Sequence, residues 1–473
     1  MTQGSSQPAG FGGETVAGIA QRVRTRAQSA REVTEAALAR IDALNPTLNA
    51  FVAWDADGAL AQADAIDQRI AKGEDVGPLA GVPMGVKDLE AVEGFVTSFG
   101  SALHVNDAPA TADSVHVARY RAAGAVIIGK TNTPEYGHKG ATDNVPFGAT
   151  RNPWSTDHSP AARPVGRPPH WPRAWCRWPP GPTAAARSGF RPHSAGSPDS
   201  SRPPGGSRSP AVRCPARGLL SANGPMALRA SDSAYALDVV VGPDPRDPLS
   251  LPHPGQSWAA AVATAEAPER VVWSPTFGFA DVDDEVMEAC TAAVRALESA
   301  GTEIIEVESI FDADPVTSWL VLWVVSRFKA QGHLIDTTEF EQLSESIKPH
   351  IMLGSRVTGV EHARAHDDVY RLNALLEDAF DKAPLILSPT TAGRVPKLGH
   401  DGTINGVEQQ GWVQFTYGIN MTRNPAGSVC AGLDRDGLPI GLQVIGRQRA
   451  DAEVLGAMAV LEDVIGCHAD PAS

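Results

Sequence analysis

The chain has 473 residues, 42% of them hydrophobic and 20% charged, with a formal net charge of -15. That is enough length and apolar content for a sizeable globular core. The acidic balance argues against non-specific nucleic-acid binding, and no apolar run is long enough to span a membrane.

The first strong pattern is SAREVTEAALARIDALNP. Ser29 and Glu32 have capping-box spacing. Val33, Ala37 and Ile41 repeat on one helical face with Leu38 and Leu44 beside it, and Pro46 is expected to stop the helix. LNAFVAW reads as a strand, and Asp55 to Lys72 as a second, alanine-rich helix. GPLAGVPMGVKD reads as a loop entering a buried strand, SVHVARYRAAG as an amphipathic helix and AVIIGKTN as a short apolar strand. Farther on, GPMALRASDSAYALDVVVG reads as a loop and a helix, DDEVMEACTAAVRALESAG as a helix and LILSPT as an apolar strand. GLPIGLQVIG is strand-like, and DAEVLGAMAVLEDVI forms a closing helix. Helices alternating with short apolar strands imply an α/β fold with its strands covered on both faces.

Five cysteines, Cys176, Cys214, Cys290, Cys430 and Cys467, follow no zinc-site spacing, and their odd number makes no disulfide framework. The N-terminal residues lack a basic-then-apolar leader. A reducing cytoplasm is therefore the expected compartment.

Between Ala161 and Arg217 the composition changes. The stretch holds ten Arg, thirteen Pro, no Lys and one acid, Asp199, with Trp171, Trp175 and Trp178 close together. No helical or strand period survives so many prolines, so this segment is expected to be irregular.

The flanking sequence resembles the amidase signature family. The likeness is carried by ARIDALNPTLNAFV, GPLAGVPMGVKDLEAVEGFVTSFGS, GAVIIGKTNTPEYG and FGATRNPW. It resumes at GPMALRASDSAYALDVVVGPDPRDP and ends with NPAGSVCAG and GLPIGLQVIGR. The resemblance implies a single domain over residues 1–473 with a central mixed β-sheet flanked by helices on both faces. It also implies a serine nucleophile, a second serine on a cis peptide bond and a lysine that takes the proton, with no cofactor and no metal. Lys87 in GVPMGVKD matches that lysine. The chemistry is reasonable: a serine hydroxyl needs a nearby base, and a buried lysine can be one because burial disfavours its charged form. On local sequence alone, Lys87 could equally be a surface residue paired with Asp88. Lys130, Asn132 and Glu135, in GKTNTPEYG, could line the site, but a Lys130–Glu135 ion pair and an Asn132-ordered turn are the expected roles. His138 is expected to be a polar loop residue, and Cys430 to pack in the core.

The family expects GGSSGGS and then GTDxGGSxRxP after NPW, and neither is present. Reading the underlying codons one base late fixes the second base of each shifted codon. Ala161 to Arg167 then accommodates Gly-Gly-Ser-Ser-Gly-Gly/Arg-Ser, and Pro182 to Ser188 accommodates Thr-Asp-Gly-Gly-Gly-Ser-Ile. The two serines fall in the columns of Arg163 and Arg187, 24 residues apart, the family's own spacing. Residues 161 to about 217 are thus read as a frameshifted stretch, against the alternative of a natural disordered basic linker. The expected partner is a small-molecule linear carboxamide, not nucleic acid or a membrane, and a homodimer is left open. Three other roles stay in view: an amidotransferase A-type subunit, a catalytically dead interaction protein, and a nucleic-acid binder using the Arg/Pro stretch.

Overall fold

The computed structural model describes residues 14–160, 220, 224–245 and 250–467. The Ala161–Arg217 stretch, with Arg163 and Arg187, lies outside them.

The N-terminal part opens with α1 (Val16–Arg24) and α2 (Ala30–Leu48). The Ser29–Glu32 capping box is formed, with Val33, Ala37 and Ile41 buried. Pro46 does not stop α2, contrary to expectation. It lies in the last turn, where only the carbonyl of Asp42 loses its N–H partner. Both residues are exposed, so solvent can replace that bond. The helix closes two residues later at Asn49, whose φ of 49° is left-handed and whose N–H donates to the Asn45 carbonyl at 2.8 Å.

Strand β1 (Phe51–Trp54), α3 (Ala56–Ala71), β2 (Pro83–Lys87), α4 (Val115–Ala122) and β3 (Val126–Thr131) follow. The three strands form one sheet in the order β1-β3-β2, with β1 antiparallel and β2 parallel to β3.

The C-terminal part contains α5 (Ala230–Val240), α6 (Trp258–Ala263), β4 (Arg270–Trp273), α7 (Asp284–Ser299), β5 (Glu303–Glu306) and α8 (Val316–Gln331). Next come α9 (Thr338–Glu341), α10 (Lys348–Gly354), α11 (Gly359–Phe380), β6 (Leu385–Pro389), β7 (Thr403–Ile404) and β8 (Val407–Glu408). The chain ends with α12 (Gln414–Thr422), β9 (Ala426–Leu433), β10 (Pro439–Gly446) and α13 (Asp451–Ile465). Five strands form a mixed sheet in the order β5-β4-β6-β10-β9, and β7 and β8 make a small hairpin.

Side-chain alternation explains why this sheet is covered twice. Successive strand residues point to opposite faces. Val271 and Trp273 of β4, Leu385 and Leu387 of β6, and Leu442 and Val444 of β10 pack with α7 and α13. Val272, Ile386 and Ile445 point the other way, into α8, α11 and α12. The α/β architecture with a mixed sheet between helices is therefore as expected. Helix α13 ties the two parts together: Leu455 enters the N-terminal core while Val454, Met458 and Leu461 pack on the five-stranded sheet.

Cys430 departs from its expected role. It is half-buried on β9 and disulfide-bonded to Cys467, just past α13, with Cα atoms 5.9 Å apart. The odd cysteine count hid this pair, because pairing depends on where β9 and the end of α13 meet. Cys290 is the buried free cysteine among the described residues.

Candidate active site

Lys87 is the last residue of β2. All five β2 residues are buried, and Lys87 itself is only 3% exposed. It is thus not a surface residue. Parallel pairing sets Lys87 beside Thr131 at the end of β3. Two glycines make this close packing possible. A Cβ on Gly85 would come within 2.8 Å of the Phe51 ring, and one on Gly129 within 2.2 Å of the Ala53 carbonyl oxygen. Isolated glycines in strand patterns mark close backbone approach.

The chain turns sharply after Lys87. The Leu89 and Glu90 N–H groups donate to the Lys87 carbonyl at 2.7 and 3.1 Å, and the Asp88 N–H donates to the Thr131 carbonyl at 2.9 Å. Asp88 is buried beneath this turn. Its carboxylate lies 3.1 Å from the Lys130 ammonium and accepts the Ser98 N–H at 3.2 Å, as well as the Ser98 hydroxyl. Lys130 also donates to the Glu90 carbonyl at 2.5 Å and to Thr97 Oγ1 at 3.0 Å. Burial pulls the Lys130 ammonium below its usual range, and the Asp88 charge opposes that shift.

Lys130 therefore pairs with Asp88, not with Glu135 as expected. Asp88 follows the last residue of β2 and Lys130 is the penultimate residue of the parallel neighbour β3, which brings their side chains together, whereas Glu135 lies beyond the following turn. Glu135 instead accepts from Ser101 Oγ at 2.6 Å and from the Ser344 N–H and hydroxyl at 2.8 and 2.6 Å. It joins the loops after β2 and β3 to the segment before α10. Asn132 does order its turn. Its side-chain Oδ1 accepts from the Thr133 N–H at 2.9 Å and Asn144 Nδ2 at 2.6 Å, and its side-chain Nδ2 donates to the Gly148 carbonyl at 3.2 Å.

His138 is not a plain loop residue. It is 5% exposed, with Nδ1 2.8 Å from the Glu135 carbonyl and Nε2 2.7 Å from Ser346 Oγ. A carbonyl only accepts, so Nδ1 carries the proton and Nε2 accepts from Ser346. Burial pushes the ring's pKa down to about 3. His138 is a neutral bridge between the loop after β3 and the segment leading into α10.

The structure thus brings Lys87, Asp88, Lys130, Asn132, Glu135 and His138 to one end of the β2–β3 pair. Lys87 and Lys130 are both buried lysines there. Lys130, Asn132, Glu135 and His138 are held in structural contacts. Among the described residues, no group of three or more His, Cys, Asp or Glu is arranged to hold a metal ion. No described helix is long and apolar enough to cross a membrane.

The family model described as Amidase matches residues 32–162 and 202–455. An acylamidase of Rhodococcus erythropolis is 32% identical over 474 residues, covering 94% of each chain. The A-type subunit of the glutamyl-tRNA(Gln) amidotransferase of Heliobacterium modesticaldum is 29% identical, over 93% of this chain and 94% of its own. Among solved structures, a bacterial aryl acylamidase of the amidase signature family superposes with a TM-score of 0.80 at 25% identity, covering 96% of this chain and 97% of its own. A 6-aminohexanoate cyclic dimer hydrolase shares the fold, with a TM-score of 0.78 at 23% identity, over 97% of this chain and 98% of its own.

Proposed function

The chain belongs to the amidase signature family of carbon–nitrogen hydrolases, and from that premise we propose that Lys87 is the base of a Ser–cis-Ser–Lys relay whose two serines this sequence lacks. The observation that carries the reading is the burial of Lys87 at the end of β2, in the family's GVPMGVKD motif. In the complete relay the nucleophilic serine attacks a linear carboxamide. Its proton passes through the second serine to the lysine, ammonia leaves, and water hydrolyses the acyl-enzyme to a carboxylate. No metal or cofactor is needed for these steps.

Arg163 and Arg187 occupy the serine columns. Arginine has no hydroxyl to attack with, and its guanidinium neither accepts nor releases a proton at neutral pH. The backbone N–H groups expected to stabilise the oxyanion belong to the same missing motif. The polypeptide with this sequence is therefore an amidase-type chain without amidase turnover. The frameshift reading is supported by the codon pattern across residues 161 to about 217.

The test compares this chain with one whose frame is restored across residues 161–217, following ammonia release from simple aliphatic and aromatic amides. The chain with this sequence shows no turnover and the restored chain turns over. Lys87→Ala in the restored chain lowers the rate by about 10²–10⁴-fold, the usual worth of a positioned general base. Turnover by the chain with this sequence would overturn the proposal.

The likeness to the A-type subunit of Heliobacterium modesticaldum supports a second reading, in which the restored chain is the A-type subunit of an amidotransferase. Co-purification of partner subunits with the restored chain tests it; a restored chain that turns over alone speaks against it.

A further inference from the structure

Helix α11 carries two histidines that the relay does not use. His362 and His366 are four residues apart, so they stand one turn apart on the same side of the helix, with Cβ atoms about 5–6 Å apart in such a pair. Their ring centroids lie 4.8 Å apart, with the planes at 81°. His362 is half-buried and His366 is exposed, so solvent reaches the pair. The backbone beneath is well anchored. Thr358 and Glu361 form a capping box at the start of α11, and Ala365, Leu372 and Leu376 bury its inner face.

We propose that His362 and His366 form a two-histidine site for a transition-metal cation, taking Cu(II) most tightly and Ni(II) and Zn(II) less so. Two imidazoles at this spacing on a helix can turn one nitrogen each toward a shared ion, as in helical zinc motifs built on the same i,i+4 step. A metal takes the neutral ring. The preference among metals follows from imidazole ligands and the general stability order of divalent first-row ions. No third His, Cys, Asp or Glu joins the pair among the described residues, so water completes the coordination and binding is reversible. The site lies on an element that bears no relay residue, and its existence does not depend on the role of Lys87.

The test is calorimetric titration of the full untagged chain with Cu(II) alone. The expected result is one equivalent bound above the background of the doubly substituted chain. His362→Asn and His366→Asn each weaken that equivalent at least about tenfold. A spacing control combines His366→Asn with Asp367→His. It keeps the histidine count but turns the second ring about 100° round the helix. It too loses the equivalent, because two rings on different faces cannot share one ion. The proposal is overturned if the native chain takes no copper above background, as two rings in a mere packing contact would predict. It is also overturned if the spacing control binds as the native chain does, as a site without helical geometry would.

Discussion

Asp88 and Lys130 make the most consequential side-chain contact beside Lys87, because both are almost fully buried. A buried ion pair gains little over an apolar replacement, but removing one partner leaves the other charge in a poor solvent. Lys130→Met is expected to lower stability by about 3–5 kcal/mol, and adding Asp88→Asn to recover part of the loss. Urea midpoints of the native chain, the single variant and the double variant check this; a single variant as stable as the native chain would contradict it. His138 supplies a pH signature. Its folded pKa of about 3 lies below the unfolded value of 6.5. Its neutral burial therefore favours the folded state fully above pH 6.5, and that contribution is lost as pH falls toward 3. The stability difference between the native chain and His138→Gln should shrink on acidification from pH 7 to 4.5. A difference that stays constant with pH would count against a neutral, buried His138.

At the scale of elements, local pattern was enough to place most helices and strands. The Ser29 cap, the alanine-rich α3, the buried β2 and β3, and the closing α13 all stand where periodicity and capping residues put them. Pro46 is the exception, because its cost depends on whether the orphaned carbonyl faces solvent, which adjacent residues do not reveal. The strands also depend on two kinds of contact. Gly129 lets β1 approach β3, and Leu387 fills the core between β6 and α7. Gly129→Ala must displace the β1 backbone at Ala53, and Leu387→Ala leaves a cavity costing about 2–5 kcal/mol. Thermal unfolding of the two variants should show a loss for each. A neutral Gly129→Ala would mean that the β1–β3 approach is looser than the structure shows.

For the whole molecule, α13 packs on both parts, and the Cys430–Cys467 bond ties the residue just past α13 back to β9. The bond closes a loop of 37 residues in sequence separation. A cross-link of that length restricts the unfolded chain, contributing roughly 2–4 kcal/mol. Cys467→Ser, or reduction of the native chain, is expected to lower the unfolding temperature. Alkylation of the denatured but unreduced chain should leave Cys430 and Cys467 unmodified; labelling of both would show that the bond does not form.

Sequence alone determined the family, the α/β class, the place of most elements, and that Lys87 stands in GVPMGVKD while GGSSGGS and GTDxGGSxRxP are not present. These are properties of short segments: a motif, a period, a cap, a missing run of residues. Tertiary structure alone decided which groups meet. It gave Asp88 to Lys130 instead of Glu135, made His138 a buried neutral bridge, paired Cys430 with Cys467 and set Lys87 out of solvent at the end of β2. Each of those outcomes depends on packing between segments far apart in the chain, and burial and partner choice are not encoded in the residues next to a side chain.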